Sequence, residues 1–507
     1  MQHVVGVQNL EPLHMVCLLS RRLIWGQSRT PEIGNEDETG NSKMTKPIEK
    51  QPSNGGVPIK FFLTEDMLPD DATISQLETL ANTPGMDHHV AVLPDVHRKS
   101  RNVSPTGTAA ASKTMIVPRA VDCGVCCGMR MFRTDLNAKE FTPSVLDKLF
   151  GEVMASTPVA LHENETLKNE DVYEILIEGG KWSQKRFGLS DDELSRIEDF
   201  GTMPTDTTEA ARILETLPYK SIKKGRKSLG TIGDGNHFLE LQEIIDVFDE
   251  EAAELLGLQK GQAVFMMHTG SRGVGSKMMK GFLKEFEETL RQESPNNGES
   301  PIWALPADSE MGTRYARAVS AVSNFGFANR IAITENVRAA ARTAFGDDSL
   351  KLPLLYDCAH VSIKRETWNG EPTWIHRHGT SRALPASMMA DHPVFSKTGQ
   401  PLPIPGSMGH ASFIGVADEA AVDAFCSVNH GAGRVMDKPE ASEHFTEGQV
   451  EGELRDKNIR LYRYGTDNIA EQAPNSFKDI SKVIDAMREL RLAKPVVKVR
   501  PMAVLKG

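Results

Sequence analysis

GQAVFMMHTGSRG, residues 261–273, sets five apolar side chains in a row and then breaks at His268 into small residues and an arginine. An apolar run of this length, bounded by Gly, reads as a strand buried on both faces with a histidine at its exit. The same grammar recurs in HHVAVLPDVH (88–97) and KLPLLYDCAH (351–360), which end at His97 and His360. Helical patterns lie between these strands. One falls within 195–217, another is VRAAARTAF (337–345), and a third is FKDISKVIDAMREL, where Ile480, Val483, Ile484, Met487 and Leu490 share a face. Mixed strands and helices without strict βαβ alternation or internal repeat predict an α+β fold. The expectation is a single large domain with mixed β-sheets and surrounding helices.

Composition sets the outer limits. The chain has 507 residues, 39% hydrophobic and 25% charged, an ordinary globular balance. No stretch nears the roughly 18 consecutive apolar residues that span a bilayer, and MVCLL (15–19) is too short for a signal-peptide core. The default is a cytoplasmic enzyme with reduced thiols and no membrane. A net charge of −11 argues against an evenly basic nucleic-acid coat. Residues 34–56 are polar and lack an apolar period. Residues 1–55 therefore read as a disordered or non-native extension, with Met44 as a candidate native start, and residues 56–507 as the catalytic domain.

Three of the six cysteines fall in VDCGVCCGMR (121–130). In a reducing compartment these suit a metal site or a core better than a disulfide. His97, His237, His268, His360 and His430 all lie within three residues of a Gly, Asn or Asp, where backbone can approach a ligand. Neutral imidazoles with a thiolate such as Cys127 make a mixed N/S metal set. HTGSRGVGSK (268–277), IPGSMGHAS (404–412) and HGAGR (430–434) lack the P-loop spacing but suit phosphate nests, with Arg272 and Arg434 adding charge. The basic cluster KSIKKGRKSLG (220–230) reads first as a solvated loop and second as a nucleic-acid phosphate rail.

From PDVH (94–97) to the terminal RPMAVLKG, the chain resembles the RtcB family of GTP-dependent RNA-splicing ligases. The blocks are VDCGVCCGMR, GTIGDGNHFLEL, HTGSRGVG, NFGFANR (324–330), YDCAH, HRHGTSRALP (376–385), IPGSMGHASF, NHGAGRVM and the final Lys-Gly, in order. The resemblance implies an RNA ligase using GTP and manganese, in RNA repair or tRNA splicing. It would join RNA 3′-phosphate or 2′,3′-cyclic phosphate ends to 5′-hydroxyl ends through GMP bound covalently to a histidine. That nucleophile corresponds to His430. Metal ligands carry over to Cys127, bridging two ions, and to His237, His268 and His360. Nucleotide contacts carry over to Asn236, His237, Phe238, Leu239, Glu240, Pro405, Gly406, Ser407, Met408, Ser412, Gly431, Ala432, Gly433 and Lys506. Arg272, Arg377, Arg434 and Lys438 are assigned to RNA phosphate. A monomer and an archease-type activator are also implied.

This sequence departs from the family pattern in places. Gly124 stands where the family has a metal-binding aspartate, which makes Asp122 the substitute ligand to test, at the cost of a backbone bulge. Val361 replaces an asparagine, His378 a lysine and Phe477 a tyrosine. The alternative to an active ligase is a divergent paralogue that binds RNA ends or guanine nucleotide without joining them.

Overall fold

The computed structural model describes residues 46–99, 102–160, 167–203, 219–293, 301–466 and 468–507. Its two principal sheets meet at one histidine. The larger, eight-stranded sheet runs in the order Leu354–Ala359, Gly128–Asn137, Gln262–Thr269, Phe238–Val247, Ala493–Lys506, Ser412–Ala417, Pro401–Ile404, with Arg460–Arg463 pairing Ala493–Lys506 in parallel. The six-stranded sheet runs Ile48–Lys50, Ile59–Phe61, Asp87–His97, Thr106–Ser112, Glu371–His378, Val361–Trp368. Leu354–Ala359 belongs to the first sheet and Val361–Trp368 to the second, so His360 sits on the joint. Helices pack around these sheets, as α+β composition requires.

Antiparallel pairing explains why residues far apart in sequence converge. Gly128 pairs with both Ala359 and Thr269, and Phe238 pairs with His268. Strands that begin at this edge of the sheet (after Cys127 and His237) alternate with strands that end there, at His268 and before His360. A side chain at Gly128 would put its Cβ 2.2 Å from the Cys358 carbonyl oxygen, so glycine permits the tight pairing.

Beneath this edge runs the helix Glu310–Phe345, about 54 Å long at 1.5 Å per residue. Its NFGFANR segment is wholly buried. Arg330 donates to the carbonyls of Cys126 (2.7 Å) and Thr269 (3.1 Å) and to Asp357 (2.9 Å), bracing the three segments that carry Cys127, His268 and His360. Asn329 donates to the carbonyls of Thr231 and Gly270 at 3.1 and 3.0 Å. Cys126 has φ 58°, a conformation costing about 1–2 kcal/mol for a side chain with a Cβ. Hydrogen bonds from Arg330 to its carbonyl and from its N–H to Val361 O (2.8 Å) hold it there.

Several expectations need correction. Residues 46–55 are not structureless, because Ile48–Lys50 pairs with Ile59–Phe61. Folded chain thus begins at least eight residues before the expected residue 56, while residues 1–45 lie outside the described residues. The basic cluster is a helix, Tyr219–Ser228, not a loop. Gly225 within it permits close approach to a neighbouring helix, since a Cβ there would lie 2.6 Å from Val172 Cγ1. Most of the helical pattern at 195–217 falls on residues 204–217, outside the described residues. The patterns at 337–345 and 480–490 lie in Glu310–Phe345 and Ile480–Glu489, the latter ending one residue short.

Candidate active site

Cys127 is the hub of the sheet edge. Its Sγ lies 3.2 Å from His268 Nε2 and 3.4 Å from His237 Nε2, and His268 Nε2 is 3.1 Å from His360 Nε2. One ligand atom each from Cys127, His268 and His360 falls within 4.8 Å of the others, a group that could hold a metal ion. His237 stands outside that trio but against the same sulfur. The ring nitrogens remote from the sulfur are tied back. His268 Nδ1 is 3.0 Å from Asn236 O and His237 Nδ1 is 3.0 Å from Ile232 O. Donation by His268 Nδ1–H to the Asn236 carbonyl leaves its Nε2 lone pair aimed at the cluster, whereas His237 Nδ1 also faces the Arg272 guanidinium at 3.1 Å.

The electrostatics suit a metal. Burial holds the His268 imidazolium down to a pKa of about 3, and burial likewise keeps His237 and His360 neutral. Burial pushes the Cys127 thiol up to about 12. A cation against the sulfur would stabilise the thiolate that burial disfavours. Facing lone pairs, a half-buried sulfur and neutral imidazoles therefore fit a divalent ion.

His430 follows the short strand Ser427–Asn429, which pairs with Thr380–Arg382. Its ring lies 4.6 Å from that of His360. Asp95, from the PDVH strand, is fully buried, and its Oδ2 accepts from His430 Nδ1 at 2.7 Å and from the His430 backbone N–H at 3.2 Å. This bond fixes the tautomer and leaves Nε2 free. Gly433, at φ 74°, lets the following loop pass Asp95, since a Cβ there would lie 2.3 Å from the Asp95 carbonyl oxygen.

A cavity of about 910 Å³ opens in front of His268 and His430, while Cys127, His360 and His237, the last also assigned to the nucleotide, do not line it. That is near the top of the roughly 300–1,000 Å³ range of small-ligand pockets. Asn236, Phe238, Glu240, His268, His430 and Lys506 line it. So do Pro405, Gly406, Ser407, Met408 and Ser412 on one loop, and Gly431, Ala432 and Gly433 on another. Arg434 and Lys438 reach the same cavity. Burial raises Glu240 to a pKa of about 7, against lowering contributions from Gln242 and Lys506. Lys506 donates to the carbonyls of Gly235 (2.6 Å) and His237 (2.8 Å), so it also clamps the loop that carries Asn236.

Four assigned residues stand elsewhere. Leu239 points to the opposite face of its strand and packs in the core with Leu241 and Phe265. Arg377 is fully buried, forked onto Glu366 at 2.7 and 2.8 Å, and unavailable to a phosphate. Arg272 lies behind His237, with Nη1 at 3.1 Å from Nδ1 and Nη2 donating to Val159 O, and does not line the cavity. Asp122 lines the cavity but faces Lys99 at 3.7 Å and is outside the three-ligand group. A Cβ at Gly124 would meet only the Cys127 Cβ, at 4.0 Å, so the place of the family's aspartate is open space.

Sequence reasoning overlooked Asp95 and Arg330. An acid two residues before a strand-exit histidine, and an arginine in an otherwise apolar helical run, are the signals that could have found them.

The family model described as tRNA-splicing ligase RtcB matches residues 76–507. The tRNA-splicing ligase RtcB of Pyrobaculum aerophilum is 32% identical over 479 residues, 91% of this chain and 96% of that protein. That of Nanoarchaeum equitans is 31% identical over 482 residues, 92% of this chain and 99% of its own. With the match running through every element that builds the cavity, the chain belongs to the RtcB family of tRNA-splicing ligases.

Proposed function

We propose that this chain is an RNA ligase that joins RNA 3′-phosphate or 2′,3′-cyclic phosphate ends to 5′-hydroxyl ends, using GTP and manganese, in tRNA splicing or RNA repair. The observation that carries the reading is His430 Nδ1 held at 2.7 Å by buried Asp95, beside the Cys127–His268–His360 group. His430 Nε2 attacks the GTP α-phosphorus, an N–P bond forms, the bond to the bridging oxygen breaks, and pyrophosphate leaves. The proton stays on His430 Nδ1, held by Asp95 Oδ2 at 2.7 Å, throughout. An oxygen of the RNA 3′-phosphate then takes the GMP, which returns His430 to its neutral form. The 5′-hydroxyl attacks that phosphate, loses its proton to solvent, and GMP departs. A 2′,3′-cyclic end first opens by hydrolysis to the 3′-phosphate.

Cys127, His237, His268 and His360 would hold the metal, whose charge would offset that building on pyrophosphate. The donor set alone would favour zinc or iron over manganese by softness, so manganese rests on the family. Glu240 suits the N1 and N2 edge of guanine, and Ser407 and the 431–433 backbone suit phosphate oxygens. The same reading has a monomer working in the cytoplasm, with an archease-type protein raising its turnover.

Incubation with α-labelled GTP and manganese is expected to leave acid-labile label on the protein, absent in His430→Ala. No label with any divalent metal would defeat the reading and favour a binding protein.

A further inference from the structure

The helix Arg272–Glu293 leads away from the cavity with two unlike faces. Val274, Met278, Phe282 and Phe286 are buried, while Lys277, Lys280 and Lys284 are exposed at i, i+3 and i+7 on the other side. Lys280 and Lys284 line the far wall of the cavity, beyond the guanylate loops. On that wall Glu287 is taken by Arg119. Lys284 has only a 3.9 Å contact with exposed Glu288, and Lys277 and Lys280 make no ion pair with an acid among the described residues.

The basic helix Tyr219–Ser228 lies against the start of this one. The Cβ position of Gly273 is 3.8 Å from both Lys224 Nζ and Ser228 Oγ. Ser228 is buried, and its hydroxyl has no partner among the described residues. Lys224 meets Lys277, and burial together with that second ammonium lowers its pKa. Two ammonium groups set side by side disfavour one another unless an anion lies between them. In a chain of net charge −11 this stripe is a local reversal of sign. From Lys277 to Lys284 is about 10 Å along the helix, enough for roughly two successive phosphates of an extended strand.

We propose that Lys224, Lys277, Lys280 and Lys284 form a docking track for consecutive backbone phosphates of the RNA strand whose end occupies the cavity. The proposal rests on the RNA-ligase reading and adds the path of the strand to it.

The test is binding of a fluorescent single-stranded RNA, long enough to extend beyond the cavity and carrying a 3′-phosphate, across a salt series. The comparison is between the wild-type chain and the quadruple Lys→Gln variant at these four positions. Two lost phosphate contacts lower the slope of log affinity against log salt by about 1.4, at roughly 0.7 per contact for single strands. The quadruple Lys→Arg variant is expected to restore it. An unchanged slope in the Gln variant, or wild-type protein that fails to bind the RNA, would overturn the track. Label transfer from GTP to the protein needs no RNA and is expected to persist in the Gln variant. Its absence from the wild type would instead count against the His430 reading.

Discussion

Asp95→Asn isolates the group that aims His430, the nucleophile of the proposed reaction. The carboxylate accepts two hydrogen bonds from one residue, Nδ1–H at 2.7 Å and the backbone N–H at 3.2 Å. Asparagine fits the same volume, but its amide either keeps one neutral acceptor or turns NH₂ toward Nδ1 and favours the wrong tautomer. Replacing a charge-assisted bond by a neutral one loses about 1.5–3 kcal/mol of orientation, or roughly 10- to 150-fold in rate. A tautomer reversal would add to that. The assay is the single-turnover rate of labelled GMP transfer to the protein, run beside a thermal melt so that a folding defect is not mistaken for a catalytic one. The geometry requires label to form slowly while metal content and melting temperature stay near wild type. Wild-type rates in a folded Asp95→Asn protein would refute the claim that this carboxylate sets the reactive state of His430.

Glu240→Gln is expected to stabilise the fold while weakening GTP-dependent labelling. An acid whose pKa rises from 4.5 to about 7 on folding binds its proton more tightly in the folded state, so stability is lost as pH climbs through that window. The full effect, about 3 kcal/mol at 1.36 per unit, gives a melting-temperature gain at pH 8 that vanishes near pH 4. Arg330→Met strips Asp357 of one of its two buried guanidinium partners, the other being Arg130, and should cost about 3–5 kcal/mol by denaturant melt. Arg330→Lys should recover part of that loss. Cys127→Ala should reduce bound metal, read by elemental analysis after dialysis, whereas Asp122→Ala should leave it unchanged because Asp122 faces Lys99.

What was legible follows from where the chain concentrates its signals. A buried strand that breaks at a histidine announces itself, because apolar residues and a polar exit occupy adjacent positions. His97, His268 and His360 were visible for that reason. Arg377 misled because an arginine beside histidines and glycine resembles a phosphate contact, and only the folded chain shows it forked onto the half-buried acid Glu366. Leu239 misled because a contiguous block was assigned to the nucleotide, although alternation in a strand sends it away from Phe238 and Glu240. The three-residue strand Ile48–Lys50 was too short to carry a period.

Asp95 and Arg330 were missed for a deeper reason, which also explains how the site is held. Each acts on residues brought to it by sheet pairing, so its role cannot be read from its own neighbours in the chain. Four ligand candidates at one sheet edge need strands that start and strands that stop there, and antiparallel order supplies both. That order fixes the backbone but leaves polar termini at the edge, where sheet hydrogen bonding ends. Arg330 satisfies two of those carbonyls from below, and the carbonyls of Ile232 and Asn236 orient two imidazoles from the side. His430 comes from a separate two-stranded element, so it needs its own tie, and Asp95 at the end of the other sheet provides it. Both sheets reach the cavity, the six-stranded one through His97 and Thr106 and the eight-stranded one through Phe238, Glu240 and His268. This is why a substitution at Arg330, remote from any substrate, should disturb the metal group and leave the Asp95–His430 pair in place.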